Sequence, residues 1–413
     1  MPTDMNHYLE QLLKRTEGHV KLGLENTTRA MALFGNPHHQ YRSILVAGSN
    51  GKGTTSAYIH RGLQLAGYKT GLFSSPHVVR LNERISIGGR PIEDEELRQL
   101  LEETFEACEN NQVHLTFFEM MTVVGARYYA RHQCDIAVIE VGLGGRLDST
   151  NVHPNFASIV TTIALEHVAI LGKDIETIAK EKLAILKEKT LLVTDTSAAW
   201  GELARQKATD TKSQLVDASA WQLPETVGAA LSYPYFEENF RLAAAFLAAM
   251  DITDTNLLEE VARTRVFGRM QPFCYRGNPA LMDSAHNPPA LEKMGSHILE
   301  HARRGGHKTV LITTLLADRE LDPITKAFWE SFDIIVLFPL KHHRGRKTFQ
   351  ELFSLVSHLD HSRVMVVQGP VKGISMVDNI LAEGKHYSLV ITGSIYLLGE
   401  ILPLLEPHMA WEC

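Results

Sequence analysis

The 413-residue sequence predicts an α/β protein in two parts, each a parallel sheet clothed by helices. Three observations predict it. Short apolar runs alternate with helical stretches through the first part of the chain. One of those runs leads through a glycine-rich turn straight into a helix. A second alternation of short apolar runs begins late, after a stretch carrying glycine and proline.

Taken in order, Tyr8 to Leu13 reads as the start of an amphipathic helix. Arg42 to Ala47 (RSILVA) is a short apolar strand, Thr54 to Leu65 a helix, and Lys69 to Phe73 the next strand. Cys134 to Val141 (CDIAVIEV) and Ala157 to Ile163 (ASIVTTI) are two more strands of the buried type. Five further runs, Ala280–Asp283, Thr309–Thr313, Ile334–Phe338, Val364–Val367 and Ser388–Thr392, make the smaller second part. Arg265 to Pro272 (RVFGRMQP) is the best hinge between them, so the expected domains are residues 1–272 and 273–413.

Composition removes several classes. A chain with 44% hydrophobic and 22% charged residues, and no apolar run of the roughly 18–20 residues a bilayer span needs, is expected to be a water-soluble protein without membrane partners. The start Met1-Pro2-Thr3-Asp4 lacks the basic and apolar regions of a signal peptide, and a cytoplasmic location follows as the expectation. Four cysteines (Cys108, Cys134, Cys274, Cys413) without CxxC spacing read as free thiols. A net charge of −7 argues against a broad nucleic-acid surface. The basic cluster Lys341, His342, His343, Arg344, Arg346 and Lys347 reads either as a solvated loop or as a local anion site. A monomer is the default.

The sharpest motif is Ala47-Gly48-Ser49-Asn50-Gly51-Lys52-Gly53-Thr54-Thr55, between strand and helix. Glycines let backbone N–H groups approach phosphate oxygens, and the helix N-terminus adds a favourable field. Lys52 would reach terminal phosphates and Thr54 a magnesium ion. Only two residues separate Gly48 from Gly51, and Gly53 intervenes before Thr54, so the loop departs from the common phosphate-loop pattern. A second glycine run, Gly142-Leu143-Gly144-Gly145, has Leu147 where a dinucleotide fingerprint needs its third glycine.

The shortened loop GSNGKGTT is followed by FSSPHVVRLNERISIGG (Phe73–Gly89), LTFFEMMT (Leu115–Thr122), IEVGLGGRLDSTN (Ile139–Asn151) and LEHVAILG (Leu165–Gly172). IAKEKLAILK (Ile178–Lys187), FGRMQ (Phe267–Gln271) and MDSAHNP (Met282–Pro288) complete the series. In this order the eight blocks resemble the folylpolyglutamate synthase and dihydrofolate synthase enzymes, relatives of the Mur ligases. The resemblance implies a P-loop-containing ATPase domain with a folate pocket, then a smaller Rossmann-like glutamate-ligase domain. It implies ATP-dependent ligation of L-glutamate to dihydropteroate, to the γ-carboxylate of reduced folates, or to both, by way of an acyl phosphate. The alternative is a Mur-type amino-acid ligase acting on a non-folate carboxylate.

By the same resemblance, Gly48, Asn50, Gly51, Lys52, Gly53, Thr54 and Thr55 cradle ATP, with Asn239 near the adenine. Thr54, Ser75, Glu140 and His167 fall on the family's metal-ligand positions, for Mg²⁺. Lys182 matches a lysine found carbamylated, which needs a neutral amine and so a lowered pKa. Asp283 and His286 match nucleotide contacts, and Arg269 a phosphate-binding arginine; Lys52, His167, Lys182 and Arg269 are the expected catalytic set. Thr116, Phe118, Asp148 and Ser149 fall on the pterin pocket, although Phe118 fits a core position equally well. Glu166, Leu183, Ala184, Ser149 and the Asp318-Arg319-Glu320 triplet depart from the family pattern and bear on the substrate more than on the reaction.

Overall fold

The computed structural model describes residues 23–233, 236–316, 319–341, 347–357, 359–360, 362–383 and 386–411. The expected helix Tyr8–Leu13, Asp318, and His342, His343, Arg344 and Arg346 of the basic cluster lie outside the described residues. The chain divides into two compact units, one of residues 1–77 and 81–264, the other of residues 78–80 and 265–413.

Unit 1 is built on an eight-stranded sheet. Its strands are β1 (Arg42–Ala47), β2 (Thr70–Phe73), β3 (Ile85–Ile87), β4 (Arg90–Pro91), β5 (Ile136–Glu140), β6 (Ala157–Val160), β7 (Leu191–Thr194) and β8 (Gln214–Asp217), in the order β4-β3-β2-β5-β1-β6-β7-β8. β1, β5 and β6 are largely apolar runs because helices cover both faces; apart from exposed Arg42 at the start of β1, their residues are buried. The helices Phe117–Arg131 and Asp94–Asn110 fill one layer, where Leu45, Ile139, Met121 and Val124 belong to one buried cluster. The helices Lys52–Leu65 and Glu237–Ala249 pair with each other; a side chain on Gly62 would strike Leu247 at 2.4 Å.

Register decides what meets at the sheet's carboxyl edge. Val46 pairs with Glu140, Ala47 with Val160, and Phe73 with Ile139, all in parallel. The chain therefore leaves β2, β5, β1 and β6 at one level. Ser75, Glu140, the glycine loop and Thr161 emerge side by side.

Unit 2 carries a seven-stranded sheet of β9 (Gln271–Tyr275), β10 (Asn278–Met282), β11 (Lys308–Thr313), β12 (Ile334–Leu337), β13 (Val364–Val366), β14 (Tyr387–Ile391) and β15 (Met409–Ala410), in the order β13-β12-β11-β14-β10-β9-β15. Its core gathers Val310, Ile312, Leu389 and Ile391 from the strands with Leu397, Leu398 and Ile401 from the last long helix.

Four expectations change. Neither sheet is wholly parallel: β2–β3–β4 and β10–β9–β15 pair antiparallel, and the two-residue links of β3 to β4 and of β9 to β10 leave no room for a crossover helix. β6 ends at Val160, since Thr161 and Thr162 turn their hydroxyls to the glycine loop. The helix after the loop begins at Lys52, two residues early, with Gly51 (φ 85°) as its cap. Cys108 and Cys134 are free and buried, with burial raising both thiols to about 11, but Cys274 is disulfide-bonded.

Candidate active site

The glycine loop is shaped by what lies behind it. A side chain on Gly48 (φ 153°) would sit 1.8 Å from the Thr161 hydroxyl, and one on Gly51 would sit 2.0 Å from the Asn239 amide oxygen. Only glycine fits either place. The helix Lys52–Leu65 has no side-chain cap, so its first N–H groups remain as donors for an anion. The Lys52 ammonium arches back over the loop to the carbonyl oxygens of Gly48 (2.8 Å) and Ser49 (3.4 Å).

Around this loop the structure brings together several expected residues. Thr55 meets the side chain and carbonyl of buried Asn239 at 3.5 Å, on the far side of the helix start. Glu140, almost fully buried at the end of β5, accepts the Ser75 amide N–H at 3.1 Å. Its carboxylate also lies 3.5 Å from the place a Gly53 side chain would occupy, one residue from Thr54. Thr54, Ser75 and Glu140 carry oxygen donors of the kind that could hold Mg²⁺, a cation that takes few protein groups and completes its shell with phosphate and water. No cluster of three His, Cys, Asp or Glu side chains that could hold a metal occurs among the described residues. His167 lies on the strap that follows β6, exposed, in a left-handed backbone (φ 45°, ψ 40°).

Lys182 is 1% exposed beneath the loop. Its ammonium donates to Glu166 Oε1 at 2.7 Å and to the Gly48 carbonyl at 3.0 Å. Burial lowers this amine to about 8, with the nearby Lys52 charge adding to the effect and Glu166 opposing it. Burial alone would raise the Glu166 carboxyl; Lys182 and Lys52 outweigh it and hold the group below its usual range. Glu166 was visible in the sequence only as a departure.

The second cluster of unit 1 surrounds Gly142. A side chain there would meet the Phe118 ring at 2.5 Å and Asp148 Oδ2 at 3.1 Å. Asp148 is fully buried and spends both oxygens locally, accepting the N–H of Leu143 (2.8 Å) and the N–H and hydroxyl of Thr150 (3.0 and 2.5 Å). Burial raises its pKa against those bonds. Ser149 shares a hydrogen bond with Thr122 (2.7 Å). Phe118 packs edge-on to Phe73 and remains partly open. Thr116 caps the helix Phe117–Arg131 in a reciprocal box with Glu119.

In unit 2, Asp283 is wholly buried and holds the N–H groups of Met270 (2.8 Å) and Ala285 (2.6 Å). Burial raises its pKa, and Arg269 opposes the rise. Arg269 hydrogen-bonds the Ser284 hydroxyl. His286 is exposed, with Nδ1 on the Ser284 carbonyl at 2.9 Å. Asp283 thus stitches the 268–271 turn to the 283–286 turn, leaving Arg269 and His286 on the surface side.

Sequence reasoning passed over Ser49, Thr161 and Thr162, which clamp the loop. The available signal was a Thr-Thr pair at the end of an otherwise apolar strand.

A parallel sheet whose carboxyl edge presents a glycine-rich phosphate loop, a lysine and a buried carboxylate defines a nucleotide-handling α/β protein. Residues 46–252, just over half of the chain, match the Mur ligase middle domain. The chain belongs to the Mur ligase family, in its folylpolyglutamate synthase/dihydrofolate synthase branch, and is an ATP-dependent Mur-type ligase. It is 26% identical to the dihydrofolate synthetase of Saccharomyces cerevisiae across 94% of this chain and 99% of that one. The fold is shared with E. coli FolC in complex with DHPP and ADP (TM-score 0.82, 24% identity, 98% of each chain). It is shared too with a bifunctional folylpolyglutamate synthase/dihydrofolate synthase with Mn, AMPPNP and L-glutamate bound (TM-score 0.80, 23% identity, 98% of each chain).

Proposed function

We propose that this chain joins L-glutamate to a folate-type carboxylate, acting as dihydrofolate synthase, as folylpolyglutamate synthase, or as both. The observation that carries the reading is the shared sheet edge of Lys52, the uncapped helix start and Glu140, in a chain whose relatives are folate enzymes. Forming an amide in water requires an activated carboxyl. The acceptor carboxylate attacks the γ-phosphorus of ATP, ADP leaves, and the glutamate amine then displaces phosphate from the acyl phosphate.

In this reading the loop amides of residues 51–54 and the Lys52 ammonium hold the phosphates and gather the charge that develops on them. Thr54, Ser75, Glu140 and His167 would hold the divalent cation, which supplies charge neutralisation at the phosphates when bound. Asn239 lines the nucleotide end, with Arg269 and His286 as further contacts and Asp283 positioning them. Phe118, Ser149 and the Asp148-braced turn line the acceptor pocket. ATP handling falls to residues 1–272 and glutamate ligation to residues 273–413, in a cytoplasmic monomer. Carbamylation of Lys182 is chemically open to an amine with a pKa near 8. It would set a second anion beside Glu166, and ¹³C-bicarbonate labelling read by NMR with and without Mg²⁺ detects it.

The test is ADP release by the purified chain with Mg²⁺, ATP and L-glutamate, comparing dihydropteroate with tetrahydrofolate. Release that needs glutamate and either acceptor is expected, and chelation of the metal should abolish it. Silence with both acceptors, from protein that binds ATP, would turn the assignment to a Mur-type ligase acting on a non-folate carboxylate.

A further inference from the structure

The segment Thr161–Glu166 is laced to the phosphate loop along its whole length. The Ser49 N–H donates to the Thr162 carbonyl at 2.7 Å, and the Asn50 N–H to the Thr162 hydroxyl at 3.3 Å. The Asn50 carbonyl takes the hydroxyls of Thr161 (2.7 Å) and Thr162 (3.1 Å). Ser49 Oγ accepts the Ala164 N–H at 2.9 Å and reaches its carbonyl at 3.2 Å. The Thr161 N–H holds the Ala47 carbonyl at 2.9 Å. At the end of the strap, Lys182 ties Glu166 to the Gly48 carbonyl.

The pattern has a direction. The strap and the lysines engage the carbonyls of Ala47, Gly48 and Asn50, so these acceptors are held away from the side where the helix N–H groups face an anion. His167 comes next. Leu165, His167, Val168, Ala169 and Ile170 are all exposed, and Leu171 is the next buried side chain. The strap's hydrogen bonds hold this stretch on one side, and on the other the Ile170 and Leu171 N–H groups bond the His167 carbonyl at 2.8 and 2.9 Å. His167 also holds a left-handed backbone, which costs a non-glycine residue about 1–2 kcal/mol and persists only where the surroundings impose it.

We propose that the strap Thr161–Glu166 couples the phosphate loop to His167, with Ser49 and Thr162 as positioning residues that set the histidine when the loop holds a nucleotide. A loop drawn onto phosphate pulls on the carbonyls of Thr162 and Ala164 and on the Thr162 hydroxyl. Five residues of taut chain carry that displacement from Thr162 to His167. The proposal rests on the reading of His167 as a metal-holding residue, so its test reads metal-linked nucleotide binding rather than turnover.

ATP affinity of the full chain is measured by calorimetry with Mg²⁺ and again in EDTA, for the wild type, Thr162→Val, Thr162→Ser, His167→Ala and the Thr162→Val/His167→Ala pair. Wild type should bind Mg·ATP more tightly than ATP alone. Thr162→Val keeps the side chain's shape but loses both hydroxyl contacts to Asn50, so it should cut the affinity for Mg·ATP about 5- to 10-fold more than it cuts the affinity for ATP alone. Thr162→Ser should restore the gain. In the His167→Ala background, Thr162→Val should cost nothing further. Equal weakening with and without Mg²⁺, failure of serine to rescue, or additive losses in the pair would each overturn the coupling, as would no metal-linked gain in the wild type. A chain that shows the coupling but releases no ADP with either folate acceptor supports the strap and refutes the folate reading alone.

Discussion

Lys52 and His153 show how differently single residues bear on function and stability. Lys52 has its ammonium parked on loop carbonyls, where a phosphate would compete for it. Lys52→Ala removes a charge-assisted hydrogen bond worth about 1.5–3 kcal/mol, so kcat/KM for ATP should fall on the order of 10- to 100-fold while the melting temperature holds. His153 lies at 1% exposure, with Nδ1 on the Thr150 carbonyl at 2.8 Å and Nε2 on the Tyr41 hydroxyl at 3.1 Å. Burial lowers it from 6.5 to about 4. The unfolded chain therefore binds the proton more readily between pH 4 and 6.5, so the native state loses stability as pH falls through that window. The loss is up to about 1.4 kcal/mol per pH unit for each such histidine. His60, lowered to about 4 mainly by burial, adds to the same slope. Urea midpoints at pH 7.5, 6.5 and 5.5 should decline for the wild type and decline less for His153→Gln; parallel declines would remove His153 from the account.

The elements that frame the proposed acceptor pocket are set by local chemistry. Thr116 starts the helix Phe117–Arg131 by accepting the Glu119 N–H, while the Glu119 carboxylate takes the Thr116 N–H at 2.7 Å. Thr116→Ala should cost about 1 kcal/mol, read as a lowered urea midpoint, and Thr116→Ser should recover most of it. If Thr116 also touches the acceptor, its KM will rise in the alanine variant beyond what lost stability explains. Gly142→Ala makes a sharper test, because the new methyl would strike the Phe118 ring at 2.5 Å. Overpacking of this kind costs about 1–3 kcal/mol and should displace Phe118, raising acceptor KM with little change in KM for ATP. An unchanged acceptor KM would take Phe118 out of the pocket. Most parallel strands were legible because buried strands read as apolar runs, but β7 and β8 were passed over. The short β3 and β4 were not legible, since two or three residues carry no readable period. Thr161 and Thr162 were read as strand because their β propensity is high. Their hydroxyls found better partners on the loop.

At the scale of the molecule, the second unit is not one continuous piece of chain. Residues 78–80 belong to it although their neighbours in sequence belong to the first. Val78 packs on the core of β11, β14 and the helix Ile395–Leu405, and its carbonyl lies 2.0 Å from where a side chain on Gly399 would stand. A fragment of residues 265–413 lacks that strand of contact and should unfold at lower urea than the same unit in the full chain. Burying one valine is worth about 1.5–3 kcal/mol, which sets the size of the shift. Gly399→Ala in the full chain should reproduce part of it, and equal stability of fragment and parent would show that residues 78–80 contribute nothing.

The sequence by itself determined the α/β class and the phosphate loop with its Lys52, while Glu140 and Lys182 were singled out only by resemblance to a family. Apolar runs, glycine spacing and strand-to-helix turns are local signals, and local signals survive in a linear text. Tertiary structure decided the rest. The registers Val46–Glu140 and Ala47–Val160 bring Glu140 and Thr161 level with a loop about a hundred residues away in sequence. Packing turned the carboxylates of Asp148 and Asp283 inward onto backbone N–H groups, where the family resemblance had implied contact with a ligand. The pair Glu166–Lys182 acquired its meaning only once folding had buried the Lys182 ammonium beside a partly buried Glu166.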